Sequence, residues 1–140
     1  MSYPAWAVAA AIMGIEGGEW HYEILTHRIM ESKLSGLGSR GGKTPWKTLR
    51  VDIADKHSDA FELRGYGYYK LHKENEIIRN HEVRTVIGLL FPAYLNEYNT
   101  LIKKTIKDNL IGNKVLEMDC NRISELEIIF HRLSGVTITL

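Results

Sequence analysis

The chain of 140 residues holds a single cysteine, Cys120, so no internal disulfide can form. A lone thiol is the usage of a reducing compartment. An intracellular location is expected, cytoplasmic if the source is prokaryotic. Cys120 itself is expected to be a small buried hydrophobe. No apolar run reaches the ~20 residues that span a bilayer, so no membrane contact is expected. The apolar N-terminal stretch AWAVAAAIMGI has no basic lead-in of the kind a signal peptide carries. Internal repeats and low-complexity tracts are missing as well. What remains, 44% hydrophobic and 25% charged residues, suits a globular fold with a sizeable core, one domain plus an appendage.

The most informative absence is local. From Ser32 to Val51 there is no Asp or Glu, while Lys33, Arg40, Lys43, Lys47 and Arg50 are present. The whole chain carries a net charge of only +1, so this segment stands out. Such a cluster is either a footprint for a polyanion or a loop solubilised by its lysines.

Within it, the string SGLGSRGGKTP (35–45) invites a nucleotide-binding reading. The spacing refuses it. A phosphate-binding loop needs glycine five residues before Gly42, and Leu37 stands there. Gly36, Gly38 and Gly41 fit the dinucleotide pattern, with Asp59 near the distance of its acid, but the preceding segment reads as a helix rather than a strand. Thr44 followed by Pro45 is a helix start, Thr at the cap and Pro in the first helical position. The string therefore launches a helix.

The periodicity predicts helices over 4–15, with Pro4 in the first turn, over 21–34, and over 45–56. On the third, Trp46, Leu49 and Ile53 share an inward face. Lys47, Thr48, Val51 and Asp55 point outward, with Arg50 on a flank. DAFELRGYGYYKL then alternates as a hairpin: Phe61 and Leu63 face in, Gly65 and Gly67 bracket the turn, and Tyr69 and Leu71 resume. Beyond 73 the pattern is mostly helical. One helix is expected to break before Pro92 and a second to end at Gly112. KVLEM is a short strand candidate, Asp119 or Asn121 caps a last helix ended by Gly135, and VTITL is a terminal strand candidate. The expected class is α+β, a winged helix of three helices and a hairpin wing at 1–73 and a mainly helical extension at 74–140.

Trp6 and Ala9, HYEILTHRI, GGKTPWKTL and FELRGYGYYKL, in that order, resemble the HARE-HTH family of winged helix-turn-helix modules. The resemblance covers about residues 4–72 and departs at Trp20, where an aliphatic residue is usual, and at Trp46, where a polar one is common. Members occur in restriction endonucleases, chromatin factors and the delta subunit of bacterial RNA polymerase. The resemblance implies double-stranded DNA as partner, a setting in restriction of foreign DNA, and a reader of 5-methylcytosine.

In a winged helix the third helix enters the major groove. Lys47, Thr48 and Val51 would face bases there, with Arg50 at the groove wall. The Thr48 methyl and Val51 are candidates for a thymine or 5-methylcytosine methyl. Lys33, Ser39, Arg40, Lys43 and Thr44 would meet phosphates, and Arg64, Tyr66 and Tyr68 of the wing the sugar-phosphate or minor groove. Catalysis finds no residues to carry it. Glu31-Ser32-Lys33 ends a helix, Glu117 and Asp119 lack a following lysine, and the histidines show no metal spacing. No cofactor or metal is expected. Two other readings stay open: a winged helix that binds protein, and a small nuclease with its site in the C-terminal half. The C-terminal helices are candidates for homodimerisation or for attachment to a catalytic domain.

Overall fold

The computed structural model describes residues 2–38 and 43–134. The elements are α1 (Ala5–Glu16), β1 (Trp20–His21), α2 (Tyr22–Ser32), α3 (Pro45–Val51), a π-helical continuation of α3 (Asp52–Lys56), β2 (Phe61–Gly65), β3 (Tyr68–Leu71), α4 (Glu74–Ile77), α5 (His81–Leu110) and α6 (Glu117–Leu133). The class is α+β, with six α-helices and a three-stranded antiparallel sheet in the order β1-β3-β2 among the described residues. Two compact units divide within α5, between Gly88 and Leu89.

The first unit is organised around α1. Every residue from Ala7 to Ile15 is buried. A helix apolar all round belongs in a core, and its alanines let neighbours approach from every side. Gly14 permits the closest approach: a Cβ there would lie 2.6 Å from Ile78 Cγ2, next to α4. Leu25 and Ile29 of α2, Leu49 of α3, and Ile53 complete this core with Val83, Val86 and Ile87 of α5.

The small sheet closes one side. β1 pairs with β3 through Trp20↔Tyr69 and His21↔Tyr68. Two residues are too few to show a periodicity, and the sequence pattern does not reveal this strand. β2 pairs with β3 through Phe61↔Leu71 and Leu63↔Tyr69, with a register shift between Leu63 and Gly65. Phe61, Tyr69 and Leu71 are buried as predicted; Leu63 is exposed. β2 is an edge strand, and its register shift follows Leu63.

The second unit, from Leu89 on, is a helical hairpin. Phe91 and Tyr98 of α5 meet Phe130 of α6 edge-on, at 5.5 and 5.4 Å. Arg122 donates to both carboxylate oxygens of Glu97 at 2.9 and 3.0 Å. Lys104 Nζ lies 2.7 Å from Asp119 Oδ2, and this hydrogen bond raises the lysine pKa above its ordinary value.

Several expectations for this half are corrected. α5 runs unbroken through Pro92, whose ring lacks an N–H and crowds the Gly88 carbonyl. Packing on both sides of Pro92 outweighs a cost of ~3 kcal/mol: Val83, Val86 and Ile87 are buried before it and Tyr94 after it. KVLEM is no strand, because Leu116 is the extended residue that opens α6. Asp119 is not a cap; it lies in the first turn of α6, and Cys120 is exposed rather than buried. Gly135 and the stretch VTITL lie outside the described residues.

Candidate nucleic-acid interface

α3 starts where the sequence says. Pro45 takes the first helical position, where a missing N–H costs nothing. Thr44 occupies the cap position, but its hydroxyl makes no capping bond; its carbonyl accepts the Lys47 N–H at 3.1 Å. Leu49 and Ile53 are fully buried and fasten the helix to the core. Trp46 does not join them. It is 37% exposed, so its side chain is only partly covered.

The opposite side of α3 is open. Lys47, Thr48, Arg50 and Val51 are all exposed, Val51 by 47%. Lys47, Thr48 and Val51 line one open cleft of about 380 Å³ together with Ala5, Asp52 and Lys56. Asp52 is the acid in this cleft, and its carboxylate is engaged. Oδ2 accepts the Trp6 N–H, in the first turn of α1, at 3.2 Å, and Oδ1 lies 4.0 Å from His57 Nε2. Trp6 and His57 stack above it with centroids 4.4 Å apart. Asp52 thus caps α1 from 46 residues away and fixes α3 against it.

Lys56 is the cleft residue that the sequence reading left out. It follows Thr48 and Asp52 at four-residue steps, the spacing of one helix face, and it ends the π-helical segment Asp52–Lys56.

The flank of α3 connects to the hairpin. The Arg50 guanidinium lies over the Tyr22 ring at 5.5 Å. Tyr22 stacks on His21 at 4.5 Å, and His21 meets Tyr68 edge-on at 5.1 Å. The Tyr22 N–H donates to the Gly67 carbonyl at 3.1 Å. A Cβ on Gly67 would fall 2.7 Å from the Tyr22 ring, so glycine is required there. Tyr66, at the tip, is 98% exposed with φ +53°.

The remaining predicted residues are scattered. Arg64 is tied to Glu19 at 3.0 Å and Glu62 at 3.5 Å; its hydrogen bond to Glu19 is the main cause of a raised pKa. Its charge is thus shared with two carboxylates and adds little to a basic face. Lys33 ends α2 in the left-handed region at φ +59°, exposed like Lys43. Among the described residues neither lysine has a carboxylate partner. Ser39 and Arg40 lie outside the described residues. Ser32, inside the Glu-x-Lys triplet, donates to the Ile29 carbonyl and accepts from the Leu34 N–H, the contacts of a helix end.

Among the described residues no three His, Cys, Asp or Glu side chains are grouped to hold a metal ion. Among the same residues no helix is long and apolar enough to cross a membrane. The chain matches no protein-family model, no curated protein and no solved structure.

Proposed function

We propose that the first unit is a winged helix that binds double-stranded DNA, with α3 in the major groove and the β2–β3 hairpin as the wing. The element order α1-β1-α2-α3-β2-β3 and the sheet order β1-β3-β2 support that reading. The observation that carries it is the outward face of α3. Lys47, Thr48 and Val51 are solvent-exposed along one cleft, with Lys56 in the same lining, while the Asp52 carboxylate there accepts the Trp6 N–H. A lysine can read guanine O6 and N7, and the two methyl-bearing side chains suit a pyrimidine 5-methyl group. Exposed methyl groups at 48 and 51 favour a reader of 5-methylcytosine, and the family resemblance favours a role beside a restriction nuclease.

The test is a titration of labelled duplexes, unmodified and 5-methylated, at two salt concentrations. With five phosphate contacts the log–log salt slope is about −4.5. Lys47→Ala and Arg50→Ala weaken binding, and Val51→Ala removes the preference for the methylated duplex. Absence of duplex binding at low salt sinks the proposal. Equal affinity for both duplexes sinks only its methyl-reading part.

A further inference from the structure

We infer that the α5–α6 hairpin is a self-association surface, which pairs two copies of this chain into a four-helix bundle. The inference is independent of the DNA reading. Leu95, Ile102 and Ile106 recur at seven and four residues on one side of α5. Phe91, four residues before Leu95 on the same side, meets Phe130, so Phe130 of α6 borders the same broad face, and Ile123, seven residues before Phe130, shares its side of α6. Leu116 extends it at the start of α6. Leu95, Ile106 and Leu116 are exposed, Ile106 by 55%, and Ile102, Ile123 and Phe130 are half-buried. Adjoining apolar side chains left open on one face of a two-helix unit mark an interface.

Charge selects a second copy as the occupant. The unit carries as many basic as acidic side chains, which favours self-association over repulsion. Its charges are also segregated. Lys103 and Lys107 rim the α5 edge and have no carboxylate partner among the described residues. Glu117 rims the start of α6 and has no basic partner among them. The Lys104–Asp119 ion pair sets the last turns of α5 level with the first turn of α6. A two-fold axis parallel to the helices therefore lays α5 of one copy over α6 of the other at the same level. Lys103 and Lys107 then meet Glu117 of the second copy, twice by symmetry.

The test is sedimentation equilibrium of the full chain over a range of concentrations. A dimer is expected, weakened at least about tenfold by Ile106→Glu, which buries an unpaired charge at the interface centre. Glu117→Lys weakens it too, and Lys103→Glu with Lys107→Glu in the Glu117→Lys background restores it. Thermal melting of each variant confirms that the exposed substitutions leave the chain folded; if Ile106→Glu does not fold, the charge-exchange pair decides. A chain that stays monomeric up to millimolar concentration overturns the inference. So does a dimer indifferent to Glu117→Lys and to its charge-exchanged rescue.

Discussion

Replacing Tyr66 by Asn separates stability from binding. Tyr66 and Gly67 form a two-residue hairpin turn flanked by the Gly65↔Tyr68 pair, with φ +53° and +81°. Positive φ at both central positions is the type I′ geometry, for which Asn-Gly is the favoured pair and tyrosine is not. An L-residue held in the left-handed region costs about 1–2 kcal/mol, and asparagine relieves much of that. The tyrosine ring returns nothing inside the molecule, since the residue is 98% exposed. Tyr66→Asn is therefore expected to stabilise the protein by about 1 kcal/mol, a rise of a few degrees in Tm. The same substitution removes the aromatic contact of the proposed wing and lowers duplex affinity about fivefold, a loss of about 1 kcal/mol. Circular-dichroism melting and fluorescence anisotropy with one duplex, at one salt concentration, read the two effects. A fall in Tm refutes the strain argument. A rise in Tm with unchanged affinity refutes a binding role for Tyr66 and leaves Lys47 and Arg50 to be judged on their own variants.

Other outcomes follow from the same geometry. Gly14→Ala gains up to about 1 kcal/mol of helix propensity. It also drives a methyl within 2.6 Å of the buried Ile78 side chain, and overpacking of about 1–3 kcal/mol makes a lower Tm the expected result. Lys56→Ala weakens duplex binding by a margin comparable to Lys47→Ala. If only Lys47→Ala does so, the π-helical turn has no part in the interface. Tyr69 is held above the ordinary tyrosine pKa mainly by burial, Tyr98 by desolvation and Glu127, and Lys104 by Asp119. A raised folded-state pKa gives stability that is complete below the unfolded pKa and lost as pH rises through the folded one. Thermal melts between pH about 9 and 11 should therefore show Tm falling, with a smaller fall in Lys104→Met. A flat profile there contradicts the assignment.

The sequence by itself fixed what depends on neighbours in the chain. Pro45 opens α3 and the Gly-Tyr-Gly string turns the hairpin, because proline and glycine set the backbone φ locally. The 3.6-residue repeat turned Leu49 and Ile53 inward and left Lys47, Thr48 and Val51 outside. Tertiary structure decided whatever depends on distant residues. Asp52 reaches Trp6 across 46 positions and Arg64 reaches Glu19 across 45, so an acid on the outward helix and a base on the hairpin are both engaged. Trp46 and Leu63 stay exposed although their spacing turns them inward, and α5 continues through Pro92. At Pro92, packing of residues on either side outweighs a local cost of about 3 kcal/mol. Lys56 was legible in part: it follows Thr48 and Asp52 at four-residue steps, and only the fold shows that this face is an open cleft.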